Sequence, residues 1–256
     1  MDIVSLYRNM RFFIGALALG GSHGRALAGL TRVYHDLDRD AARFRRASRM
    51  NCPENCGKCC ENPYVEVSTL EMLPLAGILW KRKRPDLWIK KLERLPQQGR
   101  CVFYRKISGV EGRGRCRVYV FRPLMCRLFG FCAKINKWGQ KQLVTCQVFK
   151  RHMAVTYTRV SAAINQNMDV PSMNDYRSRV MSFDPAHGVK LYSLPEALRE
   201  AMSVVAFLRE RPILNRLKGL AGSVYKNSIS SATRVKALFS GIFLRAQRRE
   251  IKRAEE

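Results

Sequence analysis

The stretch that decides the fold is Cys52-Pro53-Glu54-Asn55-Cys56-Gly57-Lys58-Cys59-Cys60, which places four cysteines within nine residues. Five more follow at 101, 116, 126, 132 and 146, and none lies in the first 51 residues or the last 110. Disulfide geometry is hard to satisfy among cysteines this close together, and the total of nine is odd. We therefore expect free thiols in a reducing, cytoplasmic compartment, where clustered cysteines usually bind metal.

Any metal site in this region must be dominated by sulfur. The chain has four histidines, and only His152 lies near the cysteines in sequence. Soft thiolates select zinc, Cu(I) or iron–sulfur clusters. Nine cysteines allow two four-thiolate sites with one left over, or one site with several bystanders. The other histidines, His23, His35 and His187, have no partner that the sequence can name, and we expect them to be solvated or hydrogen-bonded.

Two later stretches complete a recognisable pattern. They are Cys101-Val102-Phe103-Tyr104 and the segment from Cys116 to Arg127, which ends in Arg122-Pro123-Leu124-Met125-Cys126-Arg127. With the first cluster they resemble the CxxCxxCC proteins, also described as the YkgJ-like zinc- or iron-chelating cysteine-cluster family. Two departures affect loop geometry and remove no thiol: three residues separate Cys52 from Cys56, and Tyr104 replaces the usual leucine. The resemblance implies metal or iron–sulfur binding and assigns no reaction.

The motif and the shortage of histidine predict a ligand set. Its core is Cys56, Cys59, Cys116 and Cys126, and the full set adds Cys52, Cys60, Cys101 and Cys146. We expect an iron–sulfur cluster of the [4Fe–4S] type, or zinc. Arg122 and Arg127 should supply cations or hydrogen bonds that hold the site, and Pro123 should set the turn before Cys126. Cys146 is as readily a small buried residue as a ligand, and for Cys132 the buried role is favoured.

The net charge of +27 calls for an anionic neighbour. It is concentrated in two zones, +13 over 51–150 and +8 over 209–256, separated by a nearly neutral stretch. Two classes of function fit. The protein is a metal or iron–sulfur module with a redox or sensing role, or structural zinc supports a basic surface that binds an anionic membrane, nucleic acid or an acidic protein. Neither class identifies an enzymatic reaction.

The organisation is expected to be mainly α with a small antiparallel β element, an α+β chain in four segments. These are an N-terminal helical segment (1–50), the cysteine-cluster domain (51–150), a helical extension (151–222) and a basic amphipathic helix (223–256). The last suits peripheral attachment to an anionic membrane, or packing on the domain itself. RNA suits it less, because stacking aromatics and a known recognition module are both missing. No uncharged apolar run of about 18 residues predicts a spanning helix.

Local signals predict several elements. An apolar stripe at steps of three and four predicts a helix over 24–50. Capping boxes start helices at Ser68–Glu71 and Ser193–Glu196. We also predict a hairpin of Val102–Tyr104 with Arg117–Phe121, a helical region over 141–168, and core or interfacial positions for Trp80, Trp88 and Trp138.

Overall fold

The computed structural model describes residues 21–62, 64–81, 85–94, 99–107 and 113–209. The predicted helix over 223–256 lies outside the described residues, as does most of the loop predicted at 108–114. Within this part the protein is mainly helical, with three two-stranded antiparallel sheets, so the predicted fold class is confirmed.

The longest described element is helix α1, Gly21–Ser48. Its apolar stripe was predicted, and each member is at most 7% exposed: Leu27, Leu30, Tyr34, Leu37, Ala41 and Phe44. The stripe buries α1 against the rest of the chain, because a helix with one apolar side is stable only when that side leaves water. The helix packs most extensively on α7, Met173–Phe183.

A small sheet joins two distant parts of the chain. Strand β1, Glu66–Ser68, pairs antiparallel with β6, Leu191–Ser193, and each strand leads into a helix: α2, Thr69–Lys81, and α9, 194–209. Both capping boxes are confirmed. The amide and hydroxyl of Ser68 donate to Glu71 Oε2 at 3.0 and 2.7 Å, and those of Ser193 donate to Glu196 Oε2 at 3.1 and 2.7 Å. Trp80 Nε1 donates to the Met202 carbonyl at 3.1 Å, which ties α2 to α9.

The predicted hairpin exists, but its first strand begins two residues later than predicted, sharing only Tyr104 with the prediction, and its second strand was wrong. After helix α3, Pro85–Glu93, strand β2, Tyr104–Lys106, pairs with β3, Gly114–Cys116. The segment 117–121 alternates like a strand, yet it turns into a 3-10 helix, Tyr119–Phe121. The ladder places Cys116 opposite Tyr104, and the following chain folds on itself where the Phe121 amide donates to the Val118 carbonyl at 2.8 Å. Short helix α4, Leu124–Leu128, then carries Cys126.

The helix predicted over 141–168 was wrong in its first part. Lys141–Val144 is strand β5, which pairs with β4, Cys132–Ile135. Asn136 Oδ1 accepts hydrogen bonds from the amides of Trp138 and Gln140, both at 2.9 Å, and this turn makes the hairpin. The helices begin later: α5 is Gln147–His152 and α6 is Ala154–Gln166. Trp138 lies at the hairpin tip and is 70% exposed, so of its two predicted positions the core is wrong and the interface stays a prediction.

One apolar cluster connects parts of the chain on both sides of the cysteine segment. Its buried members come from the end of α1, the second hairpin, α5 and α6: Phe44, Met50, Ala133, Leu143, Phe149, Val160 and Ile164. Short helix α8, Pro185–Gly188, packs on α2 and α7 and lies between α7 and β6 in the chain. The division of the chain into four segments stays a prediction.

Candidate metal centre

Eight of the nine cysteines line one cavity of about 470 Å³. They are the eight that the sequence predicts as ligands: Cys52, Cys56, Cys59, Cys60, Cys101, Cys116, Cys126 and Cys146. Four pieces of chain meet there, namely the 52–60 loop, the start of the first hairpin with β3, helix α4, and the start of α5. The fold therefore gathers thiols that lie up to 94 positions apart in sequence.

Backbone hydrogen bonds fix the 52–60 loop against the hairpin. Within the loop, Cys60 donates to the Gly57 carbonyl at 2.9 Å. Towards the hairpin, the Cys101 amide donates to the Cys60 carbonyl at 2.8 Å, and the Gly114 amide donates to the Asn55 carbonyl at 2.9 Å. The loop is thus attached at Cys60 to the chain that leads into β2, and at Asn55 to the first residue of β3.

Tyr104 fills the space between the loop and the hairpin. Its ring lies so close to Gly57 and Gly114 that a Cβ at either glycine would overlap ring atoms. Its hydroxyl donates to the Arg113 carbonyl at 3.3 Å. The larger ring that stands in place of the family's usual leucine is therefore accommodated by two residues without side chains.

The thiols form two neighbouring groups. The Cys60 thiol lies beside both Cys59 and Cys101 and can donate its one proton to either, and Cys116 and Cys126 lie close enough to interact electrostatically with Cys59 and Cys101. Cys52 interacts instead with Cys56, Cys146 and Cys59. Cys59 therefore lies between the two groups. Cys146, whose role the sequence left open, belongs to the cavity.

Hydrogen bonding and burial shift the thiol pKa values in opposite directions. The single S–H of Cys60 can donate to Cys59, which lowers the pKa of Cys59 to about 6, or to Cys101, which lowers the pKa of Cys101 to about 7. Desolvation of its sulfur raises the pKa of Cys52 to about 11, although the residue as a whole is exposed, and burial raises the pKa of Cys126 to about 12. The hydrogen bond from Cys60 thus favours one thiolate near neutral pH, whereas Cys52 and Cys126 need a nearby cation to lose their protons.

Positive charge surrounds the thiols. Among the described lining residues there is no histidine, aspartate or glutamate, whereas five are cationic: Arg45, Lys58, Arg100, Arg115 and Arg122. Burial raises the pKa values of Cys116 and Cys126, and the charge of Arg122 opposes that rise; it also adds to the lowering of the Cys59 pKa that the hydrogen bond from Cys60 causes. Its Nη1 donates to the Cys126 carbonyl at 3.0 Å and its Nε to the Tyr119 carbonyl at 3.2 Å. Arg122 therefore both orients the α4 turn and offsets thiolate charge.

Arg127 acts behind the cavity rather than in its wall. Its side chain is 5% exposed, and Nη1 lies 2.7 Å from Asp38 Oδ2 on α1. Its Nε donates to the Arg122 carbonyl at 2.8 Å, and its Nη2 donates to the Val120 carbonyl. It thereby ties the turn before Cys126 to the long helix. Pro123, in the lining, is the N-cap residue of α4 at the predicted turn.

Glu71 is a supporting residue whose long-range role the sequence did not reveal. The capping box predicted its contact with Ser68, but its second oxygen, Oε1, accepts the Leu124 amide of α4 at 2.6 Å and the Tyr34 hydroxyl at 3.4 Å. Glu71 is 4% exposed, so these partners replace water around a buried carboxylate. A contact across 53 residues leaves no local signal in the sequence.

Cys132 lies apart from the cavity, as expected for a small buried residue. It is fully buried in β4, and burial raises the pKa of its thiol to about 12. Removing this thiol therefore serves as an internal control for changes at the other eight.

The donor set fits zinc or iron, and the sulfur spacing adds a constraint. Among the described residues, no three cysteine sulfurs all lie within 4.8 Å of one another. The group whose donor atoms do so is His23, Asp184 and His187. A tetrahedral zinc ion at about 2.3 Å from each sulfur would bring its sulfurs to about 3.8 Å from one another. The thiols thus surround a volume and do not converge on one point.

Residues 51–157 match the model of the CxxCxxCC family, described as a "Putative zinc- or iron-chelating domain". The similarity supports metal binding by this part of the chain. No curated protein matches it, and no solved structure does. No helix in the described part of the chain combines the length and the apolar character needed to cross a membrane.

Proposed function

We propose that residues 51–157, a domain of the CxxCxxCC family, bind a [4Fe–4S] cluster through cysteine thiolates and serve in electron transfer or redox sensing. The observation that carries the proposal is the donor set. Eight thiols line the cavity, and its described wall contains no histidine, aspartate or glutamate. Such a set selects soft or borderline metals and excludes magnesium and calcium sites.

The spread of the sulfurs favours a cluster over a single ion. In a [4Fe–4S] cluster each thiolate binds a different iron atom, so the four sulfurs stand further apart than around one zinc ion. The described thiols surround the cavity without three of them meeting within 4.8 Å. A cluster, when bound, supplies one-electron redox chemistry within this spacing.

We assign the cluster to Cys59, Cys101, Cys116 and Cys126. These sulfurs influence one another electrostatically, and the charge of Arg122 favours the thiolate form of Cys59, Cys116 and Cys126, in the last two against the effect of burial. The Cys60 thiol lies beside the Cys59 and Cys101 sulfurs. Cys52, Cys56 and Cys146 form the other group and are candidates for a second site. Apolar neighbours such as Leu75, Phe103 and Phe129 limit water access, which tunes a cluster's potential.

Zinc is the second candidate, and one contact favours it. The sulfurs of Cys59, Cys60 and Cys101 are linked in a chain of hydrogen bonds, so part of the set is already close to the spacing of a single ion. In that case the metal is structural, and the basic surface of the chain carries the function by binding an anionic membrane, an acidic protein or nucleic acid.

Anaerobic purification followed by iron, sulfide and zinc analysis tests the proposal. We expect stoichiometric iron and sulfide with broad thiolate-to-iron absorption near about 400 nm, lost in Cys116→Ser and Cys126→Ser. Cys132→Ala, which removes a thiol outside the cavity, should keep the absorption. A colourless protein with stoichiometric zinc would reject the cluster in favour of structural zinc. Full iron content in both serine variants would reject the ligand assignment.

The free thiols also indicate in which compartment of the cell the protein works. Nine cysteines without a disulfide suit a reducing compartment, and we propose the cytoplasm, with peripheral membrane attachment through the basic segment 223–256. Separation of cell extracts into soluble and membrane fractions, with and without salt, tests this location. Membrane association released by high salt supports it.

A further inference from the structure

A second group of candidate ligands lies outside the cysteine cavity. His23 in the first turn of α1, Asp184 after α7, and His187 in α8 each place one donor atom within 4.8 Å of the other two. His23 is about 160 positions from its partners, so the fold, and not the local chain, creates the group. None of the three takes part in the cysteine site described above.

Close packing of α1 on α7 brings the three residues together. Gly29 touches the Phe183 ring so closely that a Cβ there would overlap it. Asp184 directly follows Phe183 and begins α8, so this contact holds the residue 184–187 turn beside the start of α1. The ligand group therefore rests on two packed helices, which gives it a defined backbone frame.

The distances suit metal ligation by two imidazoles. The His23 and His187 ring centroids are 5.5 Å apart with an interplanar angle of 53°. Two imidazoles bound to one tetrahedral ion at about 2.0–2.1 Å place their centroids about 5 Å apart. The observed separation is therefore close to that of a ligated pair, and the tilt lets both rings direct a nitrogen towards a shared point.

Asp184 provides the carboxylate that such sites require. Its Oδ2 lies 2.8 Å from His187 Nδ1, a spacing at which the imidazole N–H donates to the carboxylate. Two ligand atoms on one tetrahedral ion at about 2.0–2.1 Å lie about 3.3 Å apart, so Nδ1 and Oδ2 are already close to the spacing of two ligands of the same ion, which would take the place of the shared proton. The side chains of Asp184 and His187 are 17% and 27% exposed, so an ion has access from solvent and water can complete its coordination.

We propose that His23, Asp184 and His187 form a second metal site that binds one divalent transition-metal ion, Zn²⁺ or a similar ion, and keeps an open coordination position. Nitrogen and oxygen donors give this site a different metal preference from the thiolate cavity. Two imidazoles and one carboxylate with water in the fourth position match zinc sites that exchange a ligand. The bound ion would also connect the start of α1 to the α7–α8 turn.

Cobalt titration of the full-length chain, with its cysteine-bound metal retained, tests the site. We expect one additional Co²⁺ per chain, with weak absorption in the visible range and no added thiolate-to-cobalt charge transfer, displaced by Zn²⁺. His23→Gln and His187→Gln should each weaken this binding at least tenfold. His35→Gln on the same helix is the matched control and should bind as the wild type does.

The alternative is that Asp184 and His187 form only a structural hydrogen bond. In that case His187→Gln lowers the melting temperature while both glutamine variants bind Co²⁺ as tightly as the wild type, and the proposal is overturned. Strong thiolate-to-cobalt absorption from the added ion would also overturn it. Cys126→Ser should retain the additional Co²⁺, so failure of the cluster assignment and failure of this site give different results.

Discussion

The helical scaffold and the cysteine loops are stabilised by different means. The scaffold of α1, α2 and α9 buries a long apolar stripe and nearly every residue of α2. The cysteine loops have three-residue strands, and the 3-10 turn at Lys58–Glu61 contains no buried residue. Cys52 and Cys59 are exposed. Burial of apolar area therefore holds the scaffold, whereas a few hydrogen bonds hold the loops.

This difference indicates what the metal does for the fold. A bound ion or cluster crosslinks the loop to the hairpin and to α4, where the loop region has little apolar area to bury. Metal binding then contributes folding free energy locally, in the loops, and the scaffold keeps its own stability. The four predictions below test how separate the two regions are.

Metal removal should have the largest effect. After a chelator has removed the metal, the crosslink between the loop and the hairpin is lost. We then expect the amides of 52–60 and 101–116 to exchange hydrogen at rates approaching those of an unfolded chain. Amides of α1 and α9 should keep strong protection. Hydrogen exchange read by mass spectrometry measures both regions in one sample. Loss of protection in α1 as well would show that the two regions unfold as one unit.

Arg127→Leu should have the next largest effect, because it breaks the tie between the regions. It removes the 2.7 Å ion pair with Asp38 and the hydrogen bonds to the carbonyls of residues 120 and 122. Removal of one member of a largely buried pair costs about 3–5 kcal/mol. Denaturant unfolding measures the loss, and Arg117→Leu, at an exposed position, is the control. Equal stability of the two variants would contradict this role.

Gly57→Ala should have a moderate effect confined to the loops. The added Cβ would overlap the Tyr104 ring, and overpacking of this kind costs about 1–3 kcal/mol. The double variant Gly57→Ala, Tyr104→Leu should recover part of the lost stability and metal content, because the smaller side chain removes the overlap with the ring but not the 3.1 Å approach to the Gly114 backbone. A double-mutant cycle measures the coupling. Additive losses in the two single variants would contradict the packing argument.

A pH effect on alkylation should be the smallest. In the metal-free protein Cys59, with a pKa lowered to about 6, is a thiolate at pH 7 and becomes protonated as the pH falls through 6. Its reaction with iodoacetamide should therefore slow about tenfold between pH 7 and pH 5. Buried Cys132, with a pKa raised to about 12, should stay unmodified throughout. A Cys59 profile centred near 8.5 would contradict the assigned hydrogen bond.

The sequence predicted features that depend on local pattern. The stripe of α1, both capping boxes and the eight-cysteine set follow from spacing within short segments or from the family motif. It failed where a distant contact decided the outcome. Polar and apolar residues alternate over 117–121 as in a strand, but this segment has no partner strand in the described hairpin. Lys141–Val144 resembles the start of a helix in sequence, and only its pairing with β4 makes it a strand. Asp184 and His187 have a visible three-residue spacing, but nothing near them indicates His23.

Glu71 has a consequence for the order of assembly. One carboxylate accepts bonds from Ser68 on β1, Tyr34 on α1 and Leu124 on α4, so α4 gains its full docking site only after α1 and α2 have packed. Cys126 lies on α4, so the position of its sulfur depends on the packing of α1 and α2 around one buried carboxylate, 53 residues away from α4 in the sequence. A substitution at Glu71 would therefore reach the metal centre without touching any of its thiols.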